Sequence, residues 1–193
     1  MPSKDKISEA ARNSSDPNRA ERNLARFLEQ NHEDRLTQEH LEITATLFAS
    51  SQFLANFCIA NPEELYSAID ESKDEVTKEL LQLRAVKELV FDEGAETNDV
   101  MKALRIFKKR YLLRITLRDL SGKAAIQAIM HELSCLAEVV IAEALSFSLR
   151  FNRSRFGAPS ESAITLIALG KLGGEELNYS SDVDLIAVYA DDE

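Results

Sequence analysis

Ala168-Leu169-Gly170-Lys171-Leu172-Gly173-Gly174-Glu175-Glu176-Leu177-Asn178-Tyr179-Ser180-Ser181-Asp182-Val183-Asp184-Leu185-Ile186-Ala187-Val188-Tyr189 is the stretch that decides how this chain is read. It begins at the end of an apolar, β-branched run, Ala163 to Leu169, and passes through a Gly-Gly turn. It finishes in a second apolar run, Val183 to Tyr189. Short runs of this kind suit strands covered on both faces. Two carboxylates, Asp182 and Asp184, open the second run with a single residue between them.

Upstream the pattern is different. Residues 1–18 are polar and include Asn13-Ser14-Ser15-Asp16-Pro17, which reads as a loose tail. From Arg19 to Asn152 the apolar residues recur at helical spacing, first as Leu24, Phe27 and Leu28. Leu41, Ala45 and Phe48, continued by Phe53, Leu54 and Phe57, form a richer second helical pattern. Asn61-Pro62-Glu63-Glu64 and Ser72-Lys73-Asp74-Glu75 both have the form of helix starts, with a capping side chain and a following glutamate. Thr97-Asn98-Asp99 caps a basic helix over 100–120 that carries Arg105, Arg110, Arg114 and Arg118. That charge is either a solvated face or a set of cations turned toward acidic groups or phosphate across a domain boundary. After Ser121-Gly122, the steps from Ile126 through Ile129, Leu133, Leu136, Val140 and Ala144 to Phe147 make a bundle-forming stripe. Gly157 and Pro159 mark a boundary within 153–160. The expected organisation is a tail over 1–18, a helical domain over 19–155, and the first two strands of a mixed α/β domain over 160–193.

Composition limits the function classes. Apolar residues make up 45% of the 193 and charged residues 29%, as in a globular protein. A net charge of -10 argues against non-specific nucleic-acid binding, which needs a basic surface. No apolar run reaches the roughly 18 residues of a membrane span. The start, Met1-Pro2-Ser3-Lys4-Asp5-Lys6, is not that of a secretory signal, so a cytoplasmic location is expected. Cys58 and Cys135 read as buried thiols, with a disulfide or metal role as the alternative. His32, His40 and His131 lack metal-ligand spacing.

Side chains alternate across a strand, so Asp182 and Asp184 are expected on one side, roughly 7 Å apart along the backbone. Two like charges so placed repel unless a hard divalent cation joins them, and magnesium suits oxygen donors that also recruit phosphate. Gly173-Gly174, without side chains and free to adopt positive φ, is expected to turn its amides toward an anion. Neither GxxxxGK[ST] nor GxGxxG is present, which disfavours the common nucleotide folds. Asn178, Ser180 and Ser181 either orient this cradle or close a turn. Together these features indicate metal-dependent nucleotidyl transfer; the alternative is an edge turn with solvated acids.

Gly170-Lys171-Leu172-Gly173-Gly174, Glu176-Leu177-Asn178 and Ser180-Ser181-Asp182-Val183-Asp184-Leu185 resemble the nucleotidyltransferase motif of the glutamine synthetase adenylyltransferase family. Leu104-Arg105 through Arg114-Ile115, Arg118-Asp119-Leu120 and Leu133-Ser134-Cys135-Leu136-Ala137 resemble helices of the same family. The resemblance implies a polymerase-β-like domain and a bifunctional enzyme that adds AMP to a glutamine synthetase tyrosine and removes it. It implies Asp182 and Asp184 as magnesium ligands, with Gly173, Gly174, Lys171 and Ser181 near the phosphates of ATP or ADP. The motif's place after a long helical region resembles the family's first half, the adenylyl-removing one. Glutamine synthetase and the PII signalling protein are the partners it implies, the latter through regions this chain does not hold. The family's third carboxylate comes from a later strand, so the chain is expected to be an N-terminal piece. The alternatives are a PII uridylyltransferase, against which Gly173-Gly174 argues, and a catalytically silent helical module that binds a protein.

Overall fold

The computed structural model describes residues 4–30, 35–92, 94–157 and 164–189. The elements are α1 (Lys4–Ala11), α2 (Pro17–Gln30), α3 (Gln38–Ser50), α4 (Gln52–Ala60), α5 (Pro62–Glu71), α6 (Lys78–Glu88), α7 (Thr97–Leu120) and α8 (Ile126–Phe156), followed by β1 (Ile164–Ala168), α9 (Gly170–Gly173) and β2 (Leu185–Tyr189). A helical region leading into two strands is the architecture expected. No helix among the described residues is long and apolar enough to cross a membrane.

The division of the chain differs from the expected one. One compact unit is Met1–Glu75 with Lys109–Ala125, and the other is Val76–Lys108 with Ile126–Glu193. Pro159 and the rest of 158–163 lie outside the described residues, as do Asp191, Asp192 and Glu193.

In the first unit the segment expected to be a loose tail carries α1 and the start of α2. Ala10 and Ala11 are buried, and Ile7 packs on the core. Asp16-Pro17 is a helix start: Asp16 Oδ1 accepts from the Arg19 amide at 3.0 Å, and Pro17 is the first residue of α2. Leu24, Phe27 and Leu28 face inward, and Phe27 meets the edges of Phe48 and Tyr66, each at 6.0 Å. Ser51 splits the long second pattern, ending α3 and capping α4 by accepting from the Leu54 amide at 3.2 Å. Asn61 works backwards from expectation. Its side chain donates to Phe57 O at 2.9 Å, closing α4, and makes no cap bond to α5, which starts at Pro62. Ser72 likewise closes α5, while Thr77 caps α6 in the second unit.

The arginines of α7 in this unit are not a solvated face. Arg110 grips Glu64 through Nε at 2.6 Å and Nη2 at 2.5 Å. Arg114 is buried and donates to Glu71 Oε2 at 2.9 Å and to the Asp74 carbonyl at 3.3 Å. Arg118, also buried, donates to the Lys73 carbonyl at 3.2 Å. Helical spacing of four puts all three on one face of α7, where they hold α5 and the turn after it. The pairing is internal to this unit rather than across a boundary.

Cys58 and Cys135 are free and buried. Desolvation, reinforced by the Glu64 carboxylate, pushes the Cys58 thiol from an ordinary 9.0 up to about 12. The unfolded chain therefore ionises first, so the linked stability is intact below about pH 9 and is lost as pH rises toward 12. Ellman's reagent at pH 8 is expected to leave Cys58 unmodified until the unit unfolds; rapid native-state labelling would contradict its burial.

In the second unit α6 packs on α8, burying Leu81 and Ala85 from one and Ile129, Leu133, Leu136 and Val139 from the other. Lys78 Nζ lies 2.5 Å from Glu138 Oε2, and this bond raises the lysine's pKa. β1 and β2 pair antiparallel, with Ile164 opposite Tyr189 and Ala168 opposite Leu185. Ile164, Leu166 and Ala168 are half-buried, whereas Thr165, Ile167 and all of β2 are exposed. Two strands cannot cover both faces without the rest of a sheet. Among the described residues this sheet has only two strands, and one side remains bare.

Candidate active site

The glycine turn is built by backbone bonds. Gly170 enters it at φ 57. The Gly173 amide donates to Leu169 O at 3.3 Å, Gly174 to Gly170 O at 3.1 Å, Glu175 to Leu172 O at 3.1 Å and Glu176 to Lys171 O at 2.9 Å. The amides of Gly173 and Gly174, expected to face an anion, are thus engaged inside the turn. Positive φ falls at Gly170 and Glu175 instead. Glycine is required at 173 for a steric reason, because a Cβ there would sit 2.5 Å from the Ala168 carbonyl oxygen. At 174 the nearest neighbour is the flexible Glu176 side chain, at 3.4 Å. Gly173→Ala is therefore expected to cost about 1–2 kcal/mol in denaturant unfolding, and Gly174→Ala close to nothing. Equal costs would contradict this packing.

The turn is anchored through Leu172 and Leu177, both buried. The Leu177 amide donates to Ser134 Oγ at 3.0 Å, and that hydroxyl donates in turn to Met130 O at 2.9 Å. Nearby on α8, His131 Nδ1 lies 3.1 Å from Glu175 Oε2, and His131 Nε2 lies 3.5 Å from Cys135 Sγ. Lys171 is exposed on α9.

Asn178 and Ser181 close the next turn. Asn178 Oδ1 accepts from the Ser180 amide at 3.2 Å and from Ser181 Oγ at 2.7 Å, while the Ser181 amide donates to Asn178 O at 3.2 Å. Asp182 and Asp184 follow at once, both exposed and immediately ahead of β2 rather than within it. Asp184 O accepts from the Leu169 amide at 2.9 Å, adding one rung beyond the strand pair. Alternation puts Asp184 on the bare side of the sheet with Ile186 and Val188. The opposite side, with Leu172, walls a cavity of about 440 Å³ against α6 and α8, and neither aspartate lines it. Among the described residues no group of three or more His, Cys, Asp or Glu is placed to hold a metal ion.

A family model described as glutamate-ammonia ligase adenylyltransferase matches residues 41–193. The chain belongs to that family. This selects the adenylyltransferase resemblance over the uridylyltransferase alternative. A relative from Hahella chejuensis, named bifunctional glutamine synthetase adenylyltransferase/adenylyl-removing enzyme, is 36% identical over 147 residues, covering 74% of this chain and 15% of the relative. Proteins of the same name from Thioalkalivibrio sulfidiphilus and Nitrosococcus oceani are both 32% identical, over 154 and 184 residues. These cover 77% and 89% of this chain, and 16% and 19% of the relatives. The chain thus spans about 15–19% of the length of these relatives.

Within this adenylyltransferase framework, the residue that the sequence pattern did not bring out is Ser134. It sits in a helical run whose neighbours Leu133 and Leu136 account for the apolar stripe. The available signal is its place in Leu133-Ser134-Cys135-Leu136-Ala137, a stretch that resembles a helix of the family.

Proposed function

We propose that this chain carries the paired carboxylates and the adjoining turn of a magnesium-dependent nucleotidyltransferase site. We further propose that the complete protein uses the site to remove AMP from an adenylylated tyrosine of glutamine synthetase. The observation that carries this is that Asp182 and Asp184 are both exposed immediately ahead of β2, one strand of an antiparallel pair, in a chain of the adenylyltransferase family. The removing direction follows the resemblance to the family's first catalytic half.

The donor set fits magnesium, whose ligands are typically one or two carboxylates together with water and phosphate oxygens. Asp182 and Asp184 would hold it, and the remaining positions fall to substrate and to groups elsewhere in the longer polypeptide. Bound magnesium would neutralise charge on the transferring phosphoryl group. In the reaction an oxygen of inorganic phosphate attacks the phosphorus of adenylyl-tyrosine. The bond to the tyrosyl oxygen breaks, ADP forms, and the phenolate leaves and takes up a proton. Lys171, exposed on α9, would meet phosphate, while Ser181 and the compact glycine turn keep the approach to the aspartates short. ADP and ATP would be the nucleotides, glutamine synthetase the protein substrate, and PII a regulator acting through other regions. Free thiols at Cys58 and Cys135 suit a cytoplasmic setting.

The test is a chimera in which residues 41–193 replace the matching segment of the Hahella chejuensis relative. Adenylylated glutamine synthetase, phosphate and magnesium should yield ADP. A folded chimera that adds AMP but releases no ADP would overturn the removing assignment. Loss of both activities in a folded chimera would favour a silent helical module.

A further inference from the structure

We propose that Ser134 is the positioning residue of this site: its hydroxyl, buried in α8, sets where the Asp182–Asp184 pair stands. The inference rests on the proposed function for its catalytic arm, but its structural arm is independent.

Ser134 is 1% exposed, and its hydroxyl accepts from the Leu177 amide while donating to Met130 O. A buried amide that loses its acceptor carries the whole desolvation cost, so this contact has few substitutes. Leu177 is the fixed point of the segment, because its side chain is buried and its amide is held. Between it and Asp182 lies no slack loop. Asn178 to Ser181 is closed by the hydrogen bonds described above, so a shift at Leu177 passes directly to the carboxylates. On the other side, Asp184 O is tied to the Leu169 amide, and Gly173 lies hard against the Ala168 carbonyl. The His131–Glu175 pair is more exposed than Ser134, which leaves the hydroxyl as the controlling contact. Misplacing reacting groups by about 1 Å is enough to cost of order 10²-fold in rate.

Two replacements that are isosteric with each other, each larger than serine, separate the hydroxyl from the added bulk. Ser134→Thr retains the acceptor, and Ser134→Val has the same shape without it. In the 193-residue chain, hydrogen exchange of Ser134→Val is expected to be about tenfold faster at the Leu177 amide and also faster at the distant Leu169 amide. Ser134→Thr should leave both close to the parent. Acceleration confined to Leu177, or equal behaviour of Thr and Val, would overturn the proposal. In the chimera, Ser134→Val should raise the magnesium concentration for half-maximal ADP release severalfold, with Ser134→Thr restoring it. An unchanged magnesium requirement, with only a lower melting temperature, would reduce Ser134 to a structural role and overturn the proposal. If the parent chimera releases no ADP, the proposed function fails, and the exchange comparison still decides this one.

Discussion

Replacing Asp182 and Asp184 together by asparagine is expected to lower ADP release from adenylylated glutamine synthetase by about 10³-fold or more, equivalent to roughly 4 kcal/mol of transition-state stabilisation. Asparagine preserves size and turn geometry, so the loss would report charge. Both side chains are exposed and neither lines the cavity beneath the sheet, so folding should change little. The measurement is ADP release by the chimera at saturating phosphate across a magnesium titration, with AMP addition as an internal control. The single variants should each fall short of the double, with lost rate partly recovered at high magnesium. A double variant that retains ADP release within about tenfold of the parent would remove the carboxylate pair from the mechanism.

Arg114→Ala is expected to destabilise the first unit by about 3 kcal/mol. Arg114 is only 4% exposed, whereas the Glu71 side chain is 36% exposed. Removing the arginine takes a donor from the Asp74 carbonyl and from Glu71, which also accepts from Ser67 Oγ at 3.5 Å, and it empties a packed volume. Removing the glutamate strands a buried guanidinium that still has the carbonyl. Glu71→Ala should therefore cost at least as much, about 3 kcal/mol, because the charge it leaves unpaired is the buried one, and Arg114→Lys should cost less than Arg114→Ala because an ammonium keeps the charge while lacking the planar fork. Urea unfolding of the three variants checks the order. If Glu71→Ala costs less than about 1 kcal/mol, the helix face is not held as described.

Particular residues explain what was legible in sequence. Leu24, Phe27, Ile129 and Leu133 were readable because burial imposes helical periodicity on them. The two strands and the aspartates ahead of the second were readable because β-branched runs and acidic pairs are local features. Capping was not: Asn61 and Ser72 have the residue type of helix starts yet close the preceding helices, and the same side chain serves either end when turns are short. Asp16-Pro17 failed in the opposite sense, because a polar neighbourhood masked a helix start. The arginines of α7 kept their partners hidden because Glu64 and Glu71 are remote in sequence. Gly173 was recognised as special, but its requirement is closeness to the Ala168 carbonyl, a tertiary contact that no local pattern encodes. Ser134 was silent for the same reason.

The bare side of the strand pair governs how the isolated chain will behave in the tube. Ile167, Ile186 and Val188 form an exposed apolar strip, and each strand has an open edge among the described residues. An unpaired edge is a template for a strand from another molecule. Solubility will therefore be limited by concentration before temperature, with copies sticking through this strip while their helices stay folded.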